Sequence, residues 1–129
     1  MNDNVNHPKH YADIVPGLEC IEITRHLNFM RGNAVKYLWR AGHKYDKIED
    51  LKKSLWYLRC EQEYNKKHKV KLLFSRLFRH RFEIEKLSLI VENLEYSKAF
   101  IIIEIISYYD IGDILPLIEN YIENGAKDE

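Results

Sequence analysis

Glycine and proline are scarce in this chain, with five Gly and three Pro among 129 residues. A turn-rich all-β fold draws on more of both, so strands joined by tight hairpins are not expected. Cysteine is scarcer still. Cys20 and Cys60 cannot build a disulfide framework, and both fall within amphipathic helix patterns, where a buried free thiol behaves as a small apolar residue. No apolar run is long enough for a bilayer; the most apolar, Ala99 to Ile106, is interrupted by Glu104. The start, Met1-Asn2-Asp3-Asn4, is polar and acidic and lacks signal-peptide character. A soluble, cytoplasmic protein without membrane contact is therefore expected. Three signatures of phosphate and acyl chemistry are also missing: the Gly-x-x-x-x-Gly-Lys-Ser/Thr loop, Gly-x-Gly-x-x-Gly, and a Ser nucleophile elbow. Phosphoryl chemistry here would rest on side chains presented by helices.

What is present is an ordinary globular composition, 46% hydrophobic and 31% charged, in a length that suits one domain with a real core. The formal net charge of zero hides an asymmetry. Residues 1–82 carry 17 Lys/Arg and 9 Asp/Glu, a net of +8, whereas residues 83–129 carry 3 and 11, a net of −8. The two halves should attract each other, within one chain or across a dimer; the plainer reading, and the favoured one, is two solvated faces of opposite sign.

The stretch from Phe29 to Leu58 organises the rest. Asn33, Lys36, Tyr37 and Arg40 recur at spacings of three, four and seven, which places them on one helical face. Lys44 follows just past Gly42, and Asp50, Lys53 and Tyr57 repeat the pattern on the next helix. Two cations, an amide and a phenol beside Leu38, Trp39 and Trp56 suit an anion with a flat ring attached, which describes a nucleotide. The plain alternative is an amphipathic helix with its cations in water.

Taken in order, residues 1–17 read as an extended arm, because Pro8 fixes its own backbone and holds His7 out of helical geometry, and Pro16-Gly17 ends the segment. Leu18 to Asn28 reads as the first helix. Gly32 then opens a second, with Asn33 as cap, and Ala41-Gly42 closes it. Asp46 followed by Glu49 forms a capping-box pattern for a third helix, whose stripe Ile48, Leu51, Leu55, Leu58 continues to about His68. Lys66 to Arg81 holds seven Lys/Arg and no acid, interleaved with apolar residues; facing the acidic C-terminal half is favoured over contact with nucleic acid or membrane. Leu87 to Asp110 is strongly apolar and reads as helix, since Glu95, Lys98 and Ser107 sit at helical spacing. Asp113 starts a last helix, with Pro116 in its first turn and an end near Asn124-Gly125. The expected architecture is all-α: a compact bundle of five or six helices in one domain, with an N-terminal arm (1–17), motif-bearing helices (18–68) and an apolar, acidic C-terminal part (69–129). The Ile-rich run suggests a homodimer or higher homo-oligomer through that last part.

Phosphate needs fixed donors and positive charge. Arg40 offers a planar fork, Lys36 and Lys44 offer point charges, and Asn33 can add an amide. Tyr11, Tyr37, Tyr57 or a Trp can stack a base or ribose. Glu19 and Glu22, one helical turn apart, could hold Mg²⁺ together with Asp50; salt bridging is the simpler use of such a pair. His7 and His10 could serve as acid, base or phosphate donors near neutral pH, but two His alone do not make a zinc site.

In combination, His7-Pro8-Lys9-His10-Tyr11, Gly17-Leu18-Glu19, Gly32-Asn33-Ala34-Val35-Lys36-Tyr37-Leu38-Trp39-Arg40-Ala41-Gly42-His43-Lys44 and Glu49-Asp50-Leu51-Lys52-Lys53 resemble the small bacteriophage family labelled SaV-like or phage nucleotide kinase. The likeness covers about residues 7–60. It implies a nucleoside monophosphate kinase-like activity without a P-loop, in host cytoplasm. The implied nucleotide-binding residues are His7, His10, Tyr11, Asn33, Lys36, Tyr37, Arg40, Lys44, Lys53 and Tyr57. His10 and Asp50 would be catalytic, and Mg²⁺ would be required if the protein turns its ligand over. Ser54 stands where that family commonly has a small apolar residue, and residues 61–129 match no motif. The expected partner is a nucleotide or nucleotide-derived small molecule, and nucleic acid is not expected. Two other functions fit the same residues. One is a non-catalytic anti-defence sponge that sequesters a nucleotide immune signal. The other, ranked last, is an all-α Mg²⁺-dependent nucleotide pyrophosphohydrolase, for which Glu19-x-x-Glu22 and Glu49-Asp50 are a loose match.

Overall fold

A computed structural model describes Val5 and residues 13–43, 46–68, 80–108 and 110–125. Among the described residues six helices make the bundle: α1 (Cys20–Thr24), α2 (Phe29–Arg40), α3 (Lys47–Lys67), α4 (Ile84–Asn93), α5 (Tyr96–Ile106) and α6 (Ile111–Asn120), followed by a π-helical turn, Tyr121–Gly125. There is no strand among the described residues, and the all-α class expected from composition holds.

The centre is an antiparallel hairpin of α2 and α3. Leu38 and Trp39 of α2 and Leu51, Leu55 and Leu58 of α3 are buried in one continuous core. α1 and α5 pack on α2, α6 packs on α3 and α5, and α4 lies against α5. The apolar stretch after residue 83 is thus two helices, broken where Leu94 turns extended between α4 and α5. Ile101, Ile102, Ile105 and Ile106 fill the space beneath α2. Their branched side chains lower helix propensity, but complete burial outweighs that cost of a few tenths of a kcal/mol per residue.

Helix starts differ from the sequence expectation in three places. The first helix is only Cys20–Thr24, after which His26 and Leu27 make single tight turns. Asn28, read as that helix's end, is instead the cap of α2, its side chain accepting from the Arg31 N–H at 2.8 Å. Gly32 is therefore inside α2 and does not open it. A Cβ at Gly32 would stand 3.3 Å from the Thr24 carbonyl oxygen, so the glycine permits the α1–α2 corner to close. At the far end, Asp110 rather than Asp113 caps α6, accepting from Gly112 N–H, and Pro116 lies beyond the first turn. Two expectations hold well: Asp46 caps α3 through Glu49 N–H at 3.0 Å, and α3 ends at a His68 cap. The expected reciprocal partner, Glu49, reaches Lys53 at 3.4 Å instead.

Opposite charges of the two halves pair in two places. Lys47 pairs with Glu95 at 3.3 Å and Arg59 with Glu119 at 3.5 Å. Lys98 of α5 is buried and donates to the Ala41 carbonyl at 2.8 Å, placing a cation on the C-terminus of α2 where the helix dipole favours it. Gly42, at φ 87°, makes the left-handed turn that ends the helix there.

Burial also settles the two cysteines. Cys20 is in the core, and desolvation pushes its thiol up to about 12, against a smaller downward pull from Lys36. Cys60 is half-buried. One thiol per native chain, Cys60, should react with a thiol reagent at pH 8, the second only after unfolding. The unfolded Cys20 ionises near 9.0, so its neutral burial affects nothing below that pH; it should erode stability as pH climbs from 9.0 toward 12.

Candidate functional site

α2 and α3 bring Lys36, Tyr37, Arg40, Lys53 and Tyr57 together. Tyr37 is the hub. The Lys36 ammonium lies 4.6 Å from its ring centre, the Arg40 guanidinium 4.7 Å and the Lys53 ammonium 5.4 Å. Tyr57 stacks nearly parallel to it at 5.9 Å. Such cation–π contacts hold charged heads over an aromatic face at roughly 0.5–2 kcal/mol each. The spacing of three and four on each helix makes the stripe, and the antiparallel hairpin lays the two stripes side by side. Lys36, Tyr37, Lys53 and Tyr57 are half-buried, each with part of its surface in solvent.

Arg40 and Asp50 sit beneath this face. Asp50 is fully buried, and its Oδ1 accepts from Arg40 Nη2 at 3.1 Å and Nε at 3.4 Å. The structure therefore commits the fork and the carboxylate to each other. Arg40 supports Tyr37 from below, and Asp50 neutralises it. Asn33 is on the same helix, its amide donating back to the Phe29 carbonyl at 2.9 Å.

The proposed metal set is not gathered. Glu22 Oε2 accepts from Glu19 N–H at 2.7 Å, closing the first turn of α1, and its other oxygen lies 3.8 Å from Lys86. Asp50 belongs to the α2–α3 interface. Among the described residues, no group of three His, Cys, Asp or Glu comes together as a metal site. His7, His10, Tyr11 and Lys44 lie outside the described residues, as does most of the basic Lys66–Arg81 segment.

Two features escaped the sequence patterns. Arg31 is buried on the far end of the hairpin, its Nε 2.8 Å from Glu61 Oε2 and its Nη1 donating to the Ile105 carbonyl at 2.6 Å. Asn28 Nδ2 donates to Glu61 Oε1 at 2.6 Å, and the Tyr108 hydroxyl accepts from Asn28 N–H at 3.0 Å. The Tyr108 ring covers the Arg31 guanidinium at 4.5 Å. Tyr108 holds a left-handed backbone at φ 58°, a conformation that costs a side-chain-bearing residue about 1–2 kcal/mol and that these contacts offset. Burial raises its phenol pKa further above the ordinary value, opposed by the Asn28 hydrogen bond and Arg31. In sequence, Arg31 and Glu61 are one cation and one acid among many; only the hairpin register makes them partners.

The second is a cleft of about 530 Å³ where α2 ends, lined by Gly42, His43, Lys47, Glu95 and Lys98 among others. Burial first, then Lys98 and Lys47, lower the His43 pKa, so its imidazole stays neutral at physiological pH. This cleft opens beside the glycine turn, on different side chains from the Tyr37 face.

Residues 5–59 match a family described as a protein of unknown function (DUF3310). That span takes in α1, α2 and most of α3, and hence every described residue of the Tyr37 face. No curated protein and no solved structure matches the chain. No described helix is long and apolar enough to cross a membrane.

Proposed function

We propose that the protein binds a nucleotide on the Tyr37 face. The observation that carries this is the convergence of Lys36, Lys53 and Arg40 on one half-exposed tyrosine that is stacked on a second. Lys36 and Lys53 hold the phosphates, and the base lies on the Tyr37–Tyr57 pair. Arg40 keeps Tyr37 in place from below. Phosphate binding by point charges needs no P-loop, in keeping with the absence of that motif and with the resemblance to phage nucleotide kinase-like proteins. His7, His10, Tyr11 and Lys44 would complete the site from the arm and the turn. Exposed Ile84, Val91 and Tyr96 leave apolar surface on α4 and α5 for the expected homo-oligomer.

Binding without turnover, the sponge function, gains support from one observation. Asp50, a catalytic and metal candidate, is buried and held by Arg40. A pyrophosphohydrolase would need clustered carboxylates that the described residues do not supply.

The test is calorimetric titration with a panel of nucleoside mono-, di- and triphosphates, followed by mass spectrometry of the recovered ligand with and without ATP and Mg²⁺. The double variant Lys36→Ala/Lys53→Ala should lose tenfold or more in affinity while its thermal unfolding stays within a few degrees of wild type. Unchanged affinity in a folded double variant removes the Tyr37 face as the site. A phosphorylated or cleaved product makes the protein an enzyme; an unchanged one makes it a sponge.

A further inference from the structure

The Tyr37 face carries more aromatic surface than one nucleotide can cover. Phe29, 70% exposed, and Trp56, 60% exposed, flank Tyr57 with ring centres at 6.0 and 5.1 Å, both edge-on to it. Two large aromatic side chains left mostly in solvent beside a cationic site are costly unless something covers them. The row continues along the same side of α3 at Tyr64, seven residues after Tyr57 and 43% exposed. Cations accompany it. Lys36 and Lys53 stand at Tyr37, and exposed Lys52 lines the groove beside Trp56. The groove's far wall carries Glu119 and Glu123, which bound the favourable potential on that side.

We infer that this face binds a short single strand of nucleic acid. Consecutive bases lie against Tyr57, Phe29 and Trp56, and their phosphates lie along Lys36, Lys52 and Lys53. The inference rests on the nucleotide site proposed above and extends it from one nucleotide to several. The partner's chemistry follows from two complementarities. Every base has an apolar face that an aromatic side chain can cover, and a phosphate chain is the polyanion that matches a row of lysines. A duplex hides its base faces inside the stack and would meet only the cations. The rings are also not aligned as a groove for one base. Phe29 and Trp56 each stand edge-on to Tyr57 and keep most of their surface in solvent.

The experiment is fluorescence anisotropy of the full chain with a dye-labelled eight-residue oligothymidylate. Thymidine monophosphate and a duplex of equal length serve as unlabelled competitors. The oligonucleotide should bind at least tenfold more tightly than the monophosphate and than the duplex. Neutralising three phosphates of a single strand gives a slope of about −2 for log affinity against log salt, a loss of roughly twentyfold between about 50 and 200 mM. Phe29→Ala and Trp56→Ala should each weaken the oligonucleotide at least fivefold. Monophosphate affinity, measured by calorimetry, should fall by less than oligonucleotide affinity in each variant. Both positions are mostly solvent-exposed, so the fold should tolerate them, and circular dichroism checks that it does. Monophosphate binding with no gain for the oligonucleotide overturns this inference and leaves the nucleotide site standing. Equal binding of duplex and single strand also overturns it. Binding of neither monophosphate nor oligonucleotide removes both.

Discussion

Glu61→Ala is expected to cost about 3–5 kcal/mol of folding free energy, read as a lower urea midpoint with an unchanged slope. Glu61 and Arg31 are both buried, and their ion pair is tied to Asn28 and overlaid by Tyr108. Removing the carboxylate leaves a buried guanidinium that still donates to the Ile105 carbonyl but has lost the Glu61 charge. The penalty comes from that uncompensated charge more than from the lost attraction. The decisive control is Arg31→Met with Glu61→Leu. If charge burial is the cause, the double variant should recover most of the stability, because apolar side chains of similar volume need no partner. A single Glu61→Ala variant within 1 kcal/mol of wild type would show that water reaches Arg31 and that the network is not closed.

The second large effect separates a structural Asp50 from a catalytic one. Asp50→Ala should destabilise by a similar amount, about 3–5 kcal/mol, because Arg40 is also buried and loses its carboxylate. Arg40 would then shift from under Tyr37, so ligand affinity should fall as well, by an indirect route. Asp50→Ala paired with Arg40→Met should restore stability without restoring the guanidinium that supports Tyr37 from below. The expected outcome is a stable double variant that binds nucleotide more weakly than wild type. If Asp50 instead served mainly to hold Mg²⁺, the single variant would stay as stable as wild type and lose only turnover. Thermal unfolding and calorimetric titration on the same three proteins distinguish the two.

These two ion pairs have the same architecture. Residues 31 and 61 sit at one end of the α2–α3 hairpin, and residues 40 and 50 at the other. Between them the Ser54 hydroxyl donates to the Ala34 carbonyl at 2.8 Å. The hairpin is thus fixed in register at its two ends and its middle by polar contacts within an otherwise apolar interface. A slip of one turn would strand a buried charge at each end. Ser54 is part of this register. The stripe Lys36–Tyr37–Lys53–Tyr57 depends on it, since only that pairing sets the two lysines over one ring.

By itself the sequence determined that this protein is helical and where its central elements run. Scarce glycine and proline, the Asp46 cap and the Ile48–Leu58 stripe all report on local geometry, and local geometry is what spacing encodes. It also determined that Lys36, Tyr37 and Arg40 share one face, because a helix repeats every 3.6 residues whatever surrounds it. Only the tertiary structure decided which of those charges meet solvent. Arg40 and Lys36 look equivalent in the stripe, yet Arg40 is turned onto Asp50, and Arg31, outside the stripe, joins Glu61 across thirty residues of chain. Helix ends were misplaced for the same reason: Gly32 reads as a breaker until the nearby Thr24 carbonyl explains it. Burial, charge pairing and close approach are properties of two segments in contact, and no pattern within either segment contains them.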